Sequence, residues 1–226
     1  MAQPRIVMAR KVGIAEATAR AITKRPPRLL IIAGATATGK STVAMKIGAK
    51  SSFARLISTD AIREVLRSTD ELQNNRALHR SSFSIGESND AVIDWIDTCH
   101  AVEKGIEATI NRAMREGIDL LLEGVHIIPS DRLIRAWIDS GGIAVGVIMA
   151  VSDVEKHKSM IKSRDVHSFR RHDRYMANFD RIRRIQDALI ERSKISSWPV
   201  IDISRITSDL EKIEHYLDVA WNQNRN

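Results

Sequence analysis

A short run bounded by glycines carries the residue types that bind phosphate. Residues 34–41, GATATGKS, match the pattern G-x-x-x-x-G-K-[ST] at every fixed position. Glycines let such a loop turn tightly so that several backbone N–H groups point at one anion. The lysine of the pattern reaches the β- and γ-phosphates, and the serine hydroxyl binds Mg²⁺. The residues expected to hold a nucleoside triphosphate are Gly34, Ala35, Thr36, Ala37, Thr38, Gly39, Lys40, Ser41 and Thr42.

Two charged residues, Asp60 and Arg63, follow the next apolar run, residues 55–58. If that run is a parallel strand, Asp60 lies at its carboxyl end, where α/β sheets bind ligands. An aspartate there can accept a proton from a substrate hydroxyl, and an arginine can bind a carboxylate or phosphate. The polar interval that follows, with Ser81 and Ser82, would hold the acceptor of a small kinase. The alternative is that Asp60 only caps a helix and Arg63 is solvated.

A second acid, Glu123, ends a buried apolar run that begins at residue 118. An acid at the end of a strand beside a phosphate loop can order Mg²⁺, with Ser41, or position the attacking group. Glu123 is therefore a candidate metal-binding and catalytic residue. His126 follows shortly after it, and we interpret His126 as a satisfied, partly buried histidine rather than a catalytic one.

The chain has a net charge of +7, and its basic residues are concentrated in residues 156–194. An arginine-rich helix–loop–helix after the fourth strand is where a mobile lid closes over the phosphates in small kinases. Its guanidinium groups stabilise the charge that develops on the transferred phosphoryl group. The candidates are Arg164 and Arg170 for catalysis and Arg171 for substrate binding. The alternative is a solvated charged face.

The composition bounds the class of protein. A chain of 226 residues with 43% hydrophobic residues can form one sizeable α/β domain with a small lid. The single cysteine, Cys99, allows no intrachain disulfide, and no apolar run approaches the ~20 residues of a membrane span, so we expect a cytoplasmic protein. Because aromatic residues are only 4% of the chain, small phosphorylated ligands are favoured over nucleic acid as partners.

Apolar runs alternate with segments of helical periodicity, which predicts an α/β fold with a five-stranded parallel sheet. The predicted strands lie within residues 29–33, 55–58, 118–123, 143–151 and 199–203. We expect residues 1–28 to be a basic N-terminal extension and residues 29–226 to be the main domain. Within that domain, residues 64–115 would form a helical region on the acceptor side and residues 153–194 the lid.

Several stretches together resemble the 2-phosphoglycerate kinases over roughly residues 29–204. The most specific are STDAIREVLRS at 58–68, the serine pair before Phe83, LLEGVHIIP at 121–129, and FDRIRRIQD at 179–187. The resemblance implies a three-layer P-loop NTPase fold with the strand order 2-3-1-4-5 and an Arg-rich helical lid. It also implies transfer of the ATP γ-phosphoryl group to 2-phosphoglycerate, which gives 2,3-bisphosphoglycerate.

Carried onto this chain, the resemblance implies that the phosphate loop holds ATP and Mg²⁺. Lys40, Asp60 and Glu123 would act in catalysis, and Arg63 would bind the acceptor anion. Two other functions stay open: a kinase for a polynucleotide 5′-hydroxyl or another small molecule, and an ATP-binding switch without catalysis. The sequence does not specify the oligomeric state.

Overall fold

The computed structural model describes residues 25–163, 172–205 and 209–224, and its centre is a five-stranded parallel sheet. The strands run in the order β2-β3-β1-β4-β5, so the predicted order is confirmed. Their bounds are Arg28–Gly34 (β1), Arg55–Ser58 (β2), Leu120–Gly124 (β3), Ile143–Ala150 (β4) and Val200–Asp202 (β5). β1, β3 and β4 are continuous apolar runs because they are buried on both faces of the sheet.

Helices in the part of the chain that the structure describes cover both faces of this sheet. Their bounds are Lys40–Lys50 (α1), Thr59–Thr69 (α2), Ala91–Glu116 (α3), Asp131–Asp139 (α4), Val154–Ser163 (α5), His172–Ala177 (α6), Phe179–Ser196 (α7) and Asp209–Asn224 (α8). The long helix α3 begins where the Asp90 carboxylate accepts hydrogen bonds from two backbone N–H groups, and it ends at Gly117, whose φ is 61°. None of these helices is long and apolar enough to cross a membrane.

The hydrophobic core is divided by the sheet into two layers. One layer packs β1 and β3 against α3, α4 and α7 and includes the buried Trp95 and Trp137. The other packs Leu30 and Ile32 against α1 and α8. Helix, sheet and helix therefore form the three layers of a P-loop fold. The predicted division into an extension, an acceptor region and a lid stays a prediction, because residues 1–24 and 164–171 lie outside the described ranges.

One close contact in the core predicts a measurable loss of stability. A Cβ atom at Gly146 would overlap the indole ring of Trp198. We expect Gly146→Ala to lower the free energy of unfolding by about 1–3 kcal/mol, the usual cost of overpacking. The control is Gly48→Ala in α1, whose added Cβ would lie 3.5 Å from a Leu56 methyl group, an ordinary contact. Urea unfolding should separate the two variants, and equal midpoints would contradict the prediction.

Candidate functional site

The phosphate loop joins β1 to α1 at the carboxyl edge of the sheet. Gly34 must be glycine because a Cβ atom there would lie 2.6 Å from the Met149 carbonyl oxygen. Gly39 precedes α1 with a φ of 79°, in the left-handed region that favours glycine. The buried Lys40 side chain folds over the loop and its Nζ donates to the Ala35 carbonyl oxygen at 2.8 Å. The loop thus presents its N–H groups and the start of a helix at one place.

Ala37 is also in the left-handed region, with a φ of 62°. A side chain with a Cβ atom in this conformation costs about 1–2 kcal/mol. The strain lies within the loop that the sequence motif defines, which is where such strain is tolerated when the surrounding structure enforces it. The motif gives no sign of it, because position 37 is one of its variable positions.

A histidine on α5 holds the phosphate loop from the side of β4. His157 is fully buried, and its Nε2 donates to the Thr36 carbonyl oxygen at 2.9 Å. Its Nδ1 lies 3.5 Å from the guanidinium of Arg183 on α7, which also donates to the Val151 carbonyl oxygen at 2.5 Å. Burial lowers the pKa of His157, so the ring is neutral and can accept from arginine while it donates to the loop. α7 is therefore connected to the phosphate loop.

Ser41 and Glu123 form a pair of oxygen donors beside the loop. The Ser41 hydroxyl donates to Glu123 Oε1 at 3.0 Å. The pairing of β1 with β3 sets Glu123 opposite Ile32, two residues before the loop begins, which explains the short distance. Oxygen ligands from one carboxylate and one hydroxyl fit Mg²⁺ that also binds phosphate and water. Within the described ranges no group of three or more His, Cys, Asp or Glu side chains could hold a metal ion.

A cavity of about 480 Å³, which we call the main cavity, opens beside the loop. It brings together eight of the seventeen site residues that the sequence singled out, and also His126 and Tyr175, which the sequence did not assign to a site. The predicted residues that line it are Thr36, Lys40, Ser41, Asp60, Arg63, Ser81, Ser82 and Glu123. The lid candidates Arg164, Arg170 and Arg171 lie outside the described residues, so their positions stay predictions.

Asp60 stands at the mouth of the main cavity and contacts a buried histidine. The helix cap is Ser58, whose hydroxyl accepts from the Asp60 backbone N–H, so the alternative that Asp60 only caps the helix is wrong. Asp60 Oδ1 lies 3.6 Å from His126 Nδ1, and its side chain is 59% exposed. His126 is only 2% exposed, its Nδ1 lies 3.2 Å from the Thr59 hydroxyl, and its Nε2 has no hydrogen-bond partner among residues 25–163, 172–205 and 209–224. The interpretation of His126 as satisfied and partly buried is therefore wrong.

The burial of His126 predicts a pH dependence of stability. Burial lowers the pKa of His126 to about 4, against the opposing effect of Asp60 and with help from Arg63 and Lys40. Because an unfolded histidine titrates near about 6.5, the unfolded state binds the proton first as the pH falls. The free energy of unfolding should therefore decline by at most about 3 kcal/mol on this account between about pH 6.5 and pH 4, and this contribution should level off below pH 4.

Urea unfolding of the wild type and His126→Gln across that pH range measures this contribution. In the variant, the free energy of unfolding should depend much less steeply on pH. Part of the remaining dependence comes from His157, because burial lowers its pKa too. Equal slopes in the two proteins would show that His126 takes up no proton on unfolding.

Arg63 both lines the main cavity and holds the segment opposite it. Its guanidinium donates to the carbonyl oxygens of Arg80, at 2.7 Å, and Leu78, at 3.4 Å. Its Nε is buried and has no hydrogen-bond partner in the part of the chain that the structure describes. The alternative that Arg63 is merely solvated is therefore wrong. The segment that it holds, residues 76–90, carries Ser81 and Ser82, and we call it the acceptor loop.

Two residues that sequence reasoning missed, Asp94 and Arg181, fix the acceptor loop. The Asp94 carboxylate is fully buried and accepts hydrogen bonds from the Gly86 N–H, the Ser88 N–H and hydroxyl, and the Arg181 guanidinium at 2.6 Å. Burial raises the pKa of Asp94, but these donors outweigh it and hold the pKa at about 2. Arg181 also donates to the carbonyl oxygens of Phe83, Ser84 and Asn89.

The helix α6, within the predicted lid region, contacts the acceptor loop. Arg174 donates to the hydroxyls of Ser81, at 2.9 Å, and Ser84, at 3.2 Å. The Tyr175 ring packs against Phe83 with 5.1 Å between ring centroids, and both rings line the main cavity. The acceptor loop is thus covered on one side by α6 and held on the other by α3.

This fold and this loop define the chain as a P-loop NTPase. Its fold matches the solved structure of a candidate kinase from Chloroflexus aurantiacus, with a TM-score of 0.54 and 16% identity over 89% of this chain and 99% of that one. No model of a known protein family matches the chain.

The curated relatives identify the family more narrowly. The 2-phosphoglycerate kinase of Thermococcus kodakarensis is 31% identical over 86% of this chain and 68% of its own length. That of Methanopyrus kandleri is 36% identical over 208 residues, which are 88% of this chain and 63% of the relative. The chain therefore belongs to the 2-phosphoglycerate kinase family, as the resemblance predicted, although it spans less than two thirds of the length of the Methanopyrus relative.

Proposed function

We propose that this protein is an ATP-dependent phosphotransferase that phosphorylates the hydroxyl of a small phosphorylated acid. The proposed acceptor is 2-phosphoglycerate and the product is 2,3-bisphosphoglycerate. One observation carries the proposal: Lys40, Asp60 and Arg63 line the same cavity. They are the candidate phosphate-binding lysine, the candidate base and the candidate anion-binding arginine. The acceptor itself is taken from the activity for which the relatives are named.

The donor half of the site would be the phosphate loop. Its N–H groups and the N-terminus of α1 would bind the phosphates of ATP, and Lys40 would add a positive charge near the γ-phosphate. Ser41 and Glu123 would hold Mg²⁺, which neutralises phosphate charge when it is bound. Because phosphoryl transfer needs mainly positioning and charge stabilisation, this half supplies most of the catalysis.

The acceptor half would be Asp60, Arg63 and the acceptor loop. The acceptor hydroxyl oxygen forms a bond to the γ-phosphorus, the bond from that phosphorus to the oxygen of the leaving ADP breaks, and the hydroxyl proton passes to the Asp60 carboxylate. The contact between His126 Nδ1 and Asp60 Oδ1 would orient that carboxylate from its buried side. Arg63 with Ser81 and Ser82 would bind the carboxylate and phosphate of the acceptor.

The charge of the main cavity indicates what else the site needs. Its described walls carry the cations Lys40 and Arg63 and the carboxylates Asp60, Glu64 and Glu123. These walls are net negative and would repel ATP and an acceptor that carries several negative charges. We therefore propose that further positive charge enters the site. Its proposed sources are Mg²⁺ and the lid arginines Arg164, Arg170 and Arg171.

The test is ADP release with ATP and Mg²⁺, measured with 2-phosphoglycerate, 3-phosphoglycerate, glycerate and a 5′-hydroxyl oligonucleotide. We expect 2-phosphoglycerate to stimulate release and Asp60→Asn to lower kcat by about 10²–10⁴-fold, the usual contribution of a general base. Asp218→Asn, an exposed carboxylate on α8, is the matched control and should keep wild-type rates. Stimulation by the oligonucleotide alone would replace the proposal with a polynucleotide kinase. ATP binding without any stimulation would favour a switch.

A further inference from the structure

A second cavity of about 320 Å³ lies between α3, α4, α7 and the segment that joins β3 to α4. This volume is within the range of small-molecule sites, about 300–1,000 Å³. The second cavity shares only His126 with the main cavity, so it is not an extension of the phosphate loop. Nothing in the proposed phosphoryl transfer uses it.

The walls of the second cavity combine an apolar surface with one unmatched positive charge. Ile96, Ile106 and Ile127 supply the apolar part. Arg192, on α7, forms no hydrogen bond or ion pair through its guanidinium with any residue that the structure describes. Burial raises the pKa of the Cys99 thiol in the same wall, and Glu103 adds to that effect while Arg192 opposes it.

The other charged residues that line the second cavity are paired with one another. Glu103, on α3, pairs with Arg132 on α4, and Arg132 also pairs with Glu107 at 2.9 Å. Arg192 is therefore the lining cation whose guanidinium contacts no carboxylate among the described residues. A ligand with one negative charge matches this arrangement, whereas a polyphosphate would need more cations.

His126 lies at the boundary between the second cavity and the main cavity. Its ring is 2% exposed, and its Nδ1 is directed at Thr59 and Asp60. Because the same side chain lines the second cavity, a ligand there lies against the His126 ring.

From these observations we infer that the second cavity binds a small organic acid with one carboxylate and a branched or cyclic apolar body. The carboxylate pairs with Arg192, and the body packs against the isoleucines. Because His126 borders both cavities, a ligand here also contacts the side chain that orients Asp60. The binding itself does not depend on the proposed function.

Calorimetry on the full chain tests the site with 2-methylpropanoate, 3-methylbutanoate and benzoate, each paired with its uncharged amide. We expect at least one acid to bind and its amide to bind at least tenfold more weakly. Arg192→Gln should lower the affinity for the acid at least tenfold. Arg184→Gln is the matched control, since Arg184 is also on α7 but pairs with Asp90. Its affinity should equal that of the wild type.

Two further measurements separate this site from adventitious binding. Ile96→Phe, which fills the cavity, should remove binding, and the acid should shift the NMR signals of the His126 ring. Lys40→Ala, in the phosphate loop, should bind the acid as the wild type does. The inference is overturned if no acid binds, if acid and amide bind equally, if Arg192→Gln binds like the wild type, or if Lys40→Ala abolishes binding.

Discussion

Lys40→Ala should lower acceptor-stimulated ADP release by about 10³-fold, the scale on which single transition-state donors act. Lys40 is 9% exposed and lies at the start of α1, where its Nζ already stands over the phosphate loop. An ammonium group held in this position costs little reorganisation when negative charge moves toward the leaving oxygen. The measurement is kcat, with the affinity for ATP determined separately by calorimetry.

The stability of this variant distinguishes a catalytic loss from an unfolded protein. Removal of the Lys40 ammonium eliminates its hydrogen bond to the Ala35 carbonyl oxygen, and such a bond is worth about 1 kcal/mol, so the melting temperature should change by only a few degrees. Lys46→Ala, an exposed lysine on the same helix, should keep wild-type kcat. Wild-type turnover in Lys40→Ala would remove the phosphate loop from the mechanism.

Asp94→Ala should lower the free energy of unfolding by about 3–5 kcal/mol, the range for breaking a buried ion pair on one side only. The variant leaves the Arg181 guanidinium, which is 15% exposed, without its carboxylate, and it removes the acceptor of the Gly86 and Ser88 N–H groups. The acceptor loop would lose its anchor to α3. Urea unfolding measures the loss, and proteolysis within residues 76–90 should become faster.

The neighbouring Asp97 provides the comparison. It lies one helical turn from Asp94 and pairs with Arg80, but its side chain is 46% exposed. Asp97→Ala should cost only about 0–1 kcal/mol, since exposed ion pairs contribute little. If the two variants unfold at the same urea concentration, the buried pair does not anchor the loop. Because the pKa of Asp94 is about 2, its contribution should persist at pH 5 and be lost as the pH falls from about 4 toward 2.

The sheet and the phosphate loop depend on residues that are close together in the chain, which is why the sequence predicts them well. The run from residue 29 to residue 33 is apolar because both of its faces are buried, and that pattern is visible without any partner. The motif that follows specifies its own backbone, apart from the left-handed Ala37. The ends of the predicted strands indicated the places of Asp60, Arg63 and Glu123, and the family resemblance added the order of the strands.

The anchoring of the acceptor loop could not be predicted in the same way. Asp94 and Arg181 are 87 positions apart, and neither has a local pattern that names the other. One signal existed: Asp94 is a carboxylate on the buried face of α3, next to Trp95 and one turn before Thr98. An acid among buried positions needs a charged partner, but only the fold identifies which arginine provides it.

Both binding loops are attached to one end of α7. Arg181 holds the acceptor loop, and Arg183 reaches the phosphate loop through His157 and the Thr36 carbonyl oxygen. Because both loops are attached to the same helix, their separation is set through α7. Small displacements in the other elements between the two loops therefore do not add up. Misplacement by about 1 Å can cost about 10²-fold in rate. Under the proposed function, the first turns of α7 would therefore set the distance between the bound ATP and the acceptor.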